Sequence, residues 1–418
     1  MPLIELAKAA GQTDQSRYSA VIGVPVHNEE RYIARSLRLL DRQIDPTDDF
    51  AIVLLLNNCT DGTLAVLHAL ASSLRRDVYF SDIALPKSLA HAGMARKLAM
   101  DAAAQLTAPH GIVLTTDADA IVAEDWLAMT RLHIANGADA VSGFVRHNPA
   151  EKAEWPDALK DRTDLECHYE DLLAELYALL DPRPHDPWPN HTITLGASLA
   201  AALEAYRTCG GIPPVPCGED RAFIAALERI DARVRFPRDV EAFTSSRLSG
   251  HADGGMAATL RARAGDPSLP CDPLLEPVAM ACKRAEWRRS LRAIWPAPLP
   301  AGWSQTLKII PTRLKDLWAA PGFGQAWQGI EAASPELERR CLTLDQLRGE
   351  LQCLEPLVAR LRLQQAGRQE AARPAAQTSR PSPGYVDRAA SVAAKAAASA
   401  IASPLADTPV ASAATTTP

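Results

Sequence analysis

The chain has 418 residues, 47% apolar and 22% charged, which suits two or three domains, or one large α/β domain with appendages, and excludes a chain disordered throughout. Lys plus Arg number 44 against 50 Asp plus Glu, so a net charge of −6 gives no bulk attraction to nucleic acid or an anionic membrane, and any phosphate site has to be local. Apolar runs fall far short of the roughly 20 residues of a spanning helix, and the first residues lack a basic-then-apolar leader pattern. The expectation is a soluble, cytoplasmic protein with no integral membrane segment and no nucleic-acid partner. Its 8 cysteines are scattered, with no Cys-x-x-Cys pair, and read as reduced, mostly buried thiols.

From about 18 to 145, short aliphatic runs alternate with segments of helical periodicity, the pattern of βαβ units around a mainly parallel sheet. The predicted strands are 20–26, 51–56, 77–83 and 111–115; the predicted helices between and after them are 29–40, 61–74, 92–106 and 124–136. The run 51–56 is too apolar to be exposed on either face. A helix over 162–180 follows, then a proline-rich insertion over 181–190 carrying His185 and Trp188. Strand, helix, strand, strand over 192–202, 218–230, 232–236 and 240–245 return the chain to the sheet. From about 271 to 365 the pattern is helical, with Trp287, Trp295, Trp303, Trp318 and Trp327 as expected anchors. Beyond 367 the composition collapses to Ala, Pro, Ser and Thr, too poor in large apolar residues to offset the entropy of ordering, and disorder is expected. The domain expectation is therefore an extension over 1–17, an α/β domain over 18–270 with halves meeting near 145, a helical extension over 271–366 and a tail over 367–418.

In an open parallel sheet, ligands bind beyond the carboxyl ends of the strands. The first strand ends in Pro25-Val-His-Asn28-Glu29-Glu30, without the glycines of a dinucleotide fold, and no phosphate loop of the Gly-x-x-x-x-Gly-Lys-Ser/Thr kind occurs. Asn28 and Glu29 fit a helix cap and dipole pairing as well as a ligand. The second strand ends in Asn57-Asn58-Cys-Thr-Asp61; Asp61 reads as a cap, whereas two amides at the end of a buried strand need partners that a nucleobase can supply. Trp188 could stack on a sugar, but a tryptophan of this kind more often packs its own loop.

The strongest local signal is Asp117-Ala-Asp119 after the fourth strand. Two carboxylates so close repel unless a cation or donor lies between them. Mg2+ or Mn2+ resolves the repulsion and keeps open positions for phosphates, although a solvated acidic turn is the common meaning of such a pair. Glu219-Asp220 opens a helix, where dipole compensation competes with a general-base role. His251, in a glycine- and serine-rich segment after the last strand, is a candidate third metal contact.

In this order the elements resemble the family 2 glycosyltransferases of the GT-A fold, from about Val21 to Gly255. The resemblance rests on Val24-Pro-Val-His-Asn-Glu29, the turn from Asn57 to Thr63, Asp117-Ala-Asp119, Gly196-Ala-Ser, Cys209-Gly-Gly211 and Glu219-Asp220. It implies sugar transfer from a UDP- or GDP-sugar to an acceptor hydroxyl. Pro25, Glu29, Asn57, Asn58 and Arg96 would lie around the nucleotide and Asp117 at the ribose. Asp119, with His251, would bind Mn2+ or Mg2+, and Asp220 would act as base beside Glu219. Asn57 stands where many members have aspartate, which leaves the base open. The Gln-x-x-Arg-Trp signature of processive synthases is missing, which implies addition of one sugar. A nucleotidyltransferase and a non-catalytic nucleotide- or sugar-binding module are the alternatives. The former lacks its glycine-rich basic loop here, and the latter has no need to keep Asp119, Asp220 and His251 together. Acceptor, oligomeric state and stereochemical outcome are not legible.

Overall fold

The computed structural model describes residues 4–9, 17–250 and 254–371. The tail expected to be disordered from 367 is helical as far as Ala371; its remainder, most of the 1–17 extension and His251 lie outside the described residues. The chain divides into two units, Met1–Gln365 and Ala366–Pro418, and the description below concerns the first.

The strands are β1 (Ala7–Lys8), β2 (Tyr18–Val26), β3 (Phe50–Asn57), β4 (Asp77–Ile83), β5 (Thr107–Thr115), β6 (Ile121–Val122), β7 (Ala140–Ser142), β8 (Phe144–His147), β9 (Leu199–Ala202), β10 (Val234–Arg235) and β11 (Glu241–Thr244). Among the described residues, β1-β4-β3-β2-β5-β9-β7-β10 form one sheet. Its centre is parallel, whereas β1 and β9 run antiparallel to their neighbours. Every residue of β3 is buried, as its unbroken apolar run requires of a strand covered on both faces.

The helix Ala92–Leu106 lies across β2 and β5 with Ala95, Ala99, Ala102 and Ala103 buried. Small residues allow this approach from both sides, since a Cβ on Gly23 of β2 would fall 2.6 Å from the carbonyl oxygen of Ala99. The parallel strands β2, β3 and β5 thus end at one edge of the sheet, where their polar turns gather.

A second sheet, β6-β11-β8, extends this edge. The antiparallel pairs Ala242 with Val122 and Phe243 with Ile121 carry the chain leaving β11 back toward the residues just before β6. That register returns Ser245 to Arg247 to the acidic turn, over a hundred positions away in the chain.

The predicted run over 192–202 is a strand only from Leu199 to Ala202 and is antiparallel; residues 203–208 turn at once into a helix. Gly196 explains the delay, because the loop before β9 bends around Arg96 and any Cβ at that position would fall 2.2 Å from the guanidinium. The helix predicted from 29 begins at Ile33, the preceding residues being held in the turn at the sheet edge. The short strands β7 and β8 were not legible as separate elements.

The region after 271 is helical, as expected: Val278–Ile294, Trp303–Leu307, Pro311–Trp318, Phe323–Ala333 and Leu344–Ala371. Trp295 meets Trp318 edge to face at 4.8 Å, and Trp287 meets Trp303 at 6.2 Å. This region packs on the helix Asp157–Leu180 through Tyr169, Leu173, Leu176, Ala281 and Leu354. At that seam a fully buried Glu276 pairs bidentately with Arg284 at 2.9 Å. No helix among the described residues is long and apolar enough to cross a membrane.

Candidate active site

The polar turns at the sheet edge are first held by one another. Thr63 Oγ1 accepts a hydrogen bond from the Glu29 N–H at 2.9 Å, Asp61 accepts from the Glu30 N–H at 3.1 Å, and Asn28 accepts from the Thr60 N–H at 2.8 Å. Asn28 and Asn58 occupy the left-handed region, with φ of 55° and 53°, which asparagine tolerates better than most residues. Asn58 pins the Leu85 backbone by two hydrogen bonds, donating to its carbonyl at 3.0 Å and accepting from its N–H at 2.9 Å. Asn57 differs from Asn58: it is buried and its Oδ1 has no donor, leaving a group that a ligand N–H can satisfy. Pro25 lies within β2, half-buried.

Asp117 and Asp119 follow the central strand β5 and face different partners. Asp117 accepts from Arg96 Nη2 at 2.7 Å. Arg96 is buried and also donates from Nε to Glu219 at 3.0 Å, and from Nη1 to Thr115 Oγ1 at 3.2 Å and to the Gly196 carbonyl at 3.0 Å. Burial opposes its charge, but Asp117 and Glu219 more than compensate and raise its pKa. The resemblance implied a nucleotide contact for Arg96; in this structure its donors engage carboxylates, the Thr115 hydroxyl and backbone. Gly196 gives its N–H to Asp220 Oδ2 at 3.2 Å, and burial raises the Asp220 pKa above the usual carboxylate value. One guanidinium therefore connects Asp117 to Glu219, the residue beside Asp220, across more than a hundred positions of chain.

Asp119 faces the opposite way. Its Oδ2 lies 3.0 Å from Arg247 Nη2, which also donates to Glu29 Oε1 at 2.9 Å. Burial, with the charges of Asp117 and Glu29 nearby, pushes the Asp119 carboxyl up to about 7 despite Arg247. Burial likewise raises Glu29, whose second oxygen, Oε2, is buried without a donor. Glu29 and Arg247, though not Asp119 itself, line an open cleft of about 570 Å³ together with Asn28, Tyr32, Asp61 and Gly250, among others.

No group of three or more His, Cys, Asp or Glu side chains among the described residues is arranged to hold a metal ion. The donors that are present nonetheless suit a hard cation: two carboxylates from separate strand ends, one with an orphaned oxygen and one whose proton affinity is raised by burial and then by like charge. Mg2+ and Mn2+ take one or two such carboxylates and leave their other positions to phosphates and water.

Arg247 was missed by the sequence reading. Nothing in Ser-Ser-Arg-Leu-Ser marks that arginine among the 44 basic residues, and only the β6–β11 register brings it to Asp119.

Residues 21–186 match the sequence model described as Glycosyl transferase family 2, a span that contains Glu29, Asn57, Asn58, Arg96, Asp117 and Asp119. The match covers about two fifths of the chain, and the architecture around it is mixed α/β, a large central sheet flanked by helices. Among solved structures this chain is similar to the mannosyltransferase PcManGT of Pyrobaculum calidifontis in complex with GDP-Man and Mn2+, at 18% identity and a TM-score of 0.41, covering 76% of this chain and 86% of that one. It is similar also to residues 1–349 of S. aureus TarS in complex with UDP-GlcNAc, at 15% identity and a TM-score of 0.41, covering 75% and 83%. A third likeness is to the glucosyl-3-phosphoglycerate synthase of Mycobacterium tuberculosis with UDP, at 19% identity and a TM-score of 0.35, covering 61% and 83%. Comparison of the chain with curated proteins finds no match.

Proposed function

We propose that this protein is a glycosyltransferase that moves one sugar from a nucleoside-diphosphate sugar, with UDP or GDP as the nucleotide, to an acceptor hydroxyl, with a divalent cation at Asp119. The observation that carries the reading is the Arg96 bridge, which joins the Asp117 end of the donor-side carboxylates to Glu219 beside Asp220. In this reading Asn57, with its orphaned acceptor, and Glu29 belong to the nucleotide cradle, Pro25 and Asn58 shape it, and Asp117 borders the ribose. Asp119 and Glu29 would supply the carboxylate oxygens for Mn2+ or Mg2+, with His251 kept as a further candidate ligand. A bound cation offsets the charge of the departing diphosphate.

Asp220 is proposed to take the proton of the acceptor hydroxyl as its oxygen bonds to the anomeric carbon. The bond from that carbon to the diphosphate breaks, and the nucleoside diphosphate leaves with the electron pair. Burial makes Asp220 a stronger proton acceptor than an exposed aspartate. Glu219, tied to Arg96, positions it. This scheme inverts the anomeric centre, and a retained configuration in the product, read by NMR, removes the base role.

The proposal places the donor half over 18–145, the acceptor half over 146–270 and an extension over 271–366. The insertion is pinned by Asp181 to Arg288 and by Asp186 to Arg235, and Trp188 remains exposed there beside Arg238. Those contacts make it a stable surface for an acceptor. A cytoplasmic location, where thiols such as the free cysteines of this chain stay reduced, is part of the proposal.

The test is nucleotide binding by calorimetry with and without Mn2+. The cation should raise UDP or GDP affinity in the wild type and have no effect in Asp119→Ala, while Asp220→Asn should bind the donor normally and lose turnover by at least about a hundredfold. Nucleotide binding indifferent to the cation in the wild type refutes the assignment.

A further inference from the structure

Arg247 holds a position that ordinary stability does not explain. Its Nη2 serves two carboxylates at once, Glu29 at 2.9 Å and Asp119 at 3.0 Å, and its guanidinium lies 4.3 Å from the centre of the Tyr32 ring. Yet the fit is incomplete: Arg247 Nη1 and Glu29 Oε2 are both buried without partners. An arginine selected to lock two carboxylates engages both ends of its fork. A half-satisfied buried cluster gains little over a competitor that satisfies it.

The main chain on one side of Arg247 is fixed. Ser246 is buried, gives its N–H to Glu151, receives the Asn148 N–H on Oγ at 2.9 Å and receives Trp155 Nε1 on its carbonyl at 2.7 Å. On the other side Ser249 and Gly250 are exposed at the lip of the cleft, where Arg247 Nε donates to the Ser249 carbonyl at 2.9 Å. The anchored backbone therefore presents a long cationic side chain that has open space to leave through.

We propose that Arg247 is a displaceable internal cation, occupying the Glu29–Asp119 carboxylates in the free protein and giving them up to the divalent ion. The inference rests on the reading of Asp119 as the cation site. It means that cation binding and the position of the 247–250 segment are one equilibrium, and that the protein's affinity for the ion is set below what its carboxylates alone provide.

The test is Mn2+ binding to the full chain without donor, read by the electron paramagnetic resonance of free Mn2+. Arg247→Met should bind Mn2+ about tenfold more tightly than the wild type, since the competitor is gone. Asp119→Asn should lose binding in both backgrounds. Melting supplies a second readout: without metal, Arg247→Met should melt below the wild type, and Mn2+ should raise its Tm by more than it raises that of the wild type. Arg247→Gln serves in the same way if the Met variant does not fold. Equal or weaker Mn2+ binding in the Arg247 variants, with binding still lost in Asp119→Asn, overturns the displacement and spares the cation site. Undiminished binding in Asp119→Asn overturns the cation site itself.

Discussion

His147 lies at the end of β8 with Nδ1 3.1 Å from Ser246 Oγ and its ring edge to face with Trp155 at 4.9 Å, under the anchored start of the Arg247 segment. Burial, with Lys152 and Arg263 nearby, lowers its pKa to about 4, against the partial opposition of Asp164. The unfolded chain, with histidine near 6.5, binds the proton more readily, so the neutral ring contributes stability that is present above pH 6.5 and is lost as the pH falls toward 4. Wild-type melting should therefore decline over that window by on the order of 2 kcal/mol more than that of His147→Gln, checked by denaturation at pH 7 and pH 4.5. At this scale the sequence was only partly informative. Asp117, Asp119, Glu219 and Asp220 announce themselves by placement after a strand or at a helix start. The partner of each does not, because Arg96 and Arg247 are chosen by approach in space and carry no local mark.

Elements were legible in proportion to their regularity. The strand Asp77–Ile83 and the helix Ala92–Leu106 occur where their periodicity and flanking turns place them. β9 was misjudged in length and its direction was not legible, since an apolar run does not say which neighbour it pairs with; its partners are β5 and β7, both antiparallel. The alanine-rich face of the helix over β2 has a use that periodicity alone does not state, the close approach at Gly23. Gly23→Ala should force backbone apart at the most buried crossing of the sheet and cost about 1–3 kcal/mol in urea denaturation. The carboxyl ends of β2 and β5 would shift with it, so donor affinity should fall as well.

Across the molecule, the helical extension and the helix Asp157–Leu180 share a polar seam. Glu276 accepts from Arg284, Arg339 and Tyr177, and its carbonyl accepts from Tyr169 on the helix Asp157–Leu180. Arg284→Met leaves a carboxylate buried with fewer donors, and should cost about 3–5 kcal/mol and melt the extension and the sheet in one transition, measured by calorimetry. A separate early transition for the extension would show the seam to be weaker than its contacts suggest.

The sequence by itself determined the α/β class, the strand ends at which polar residues collect and the likeness of residues 21–186 to the glycosyl transferase family 2 model, because each follows from local periodicity, turn chemistry or a short ordered motif. The tertiary structure alone decided that Arg96 joins the two halves of the site and that Arg247 reaches Asp119. Those contacts depend on sheet register and on where glycine lets backbone approach, and a pattern read along one dimension does not contain distances between residues a hundred positions apart.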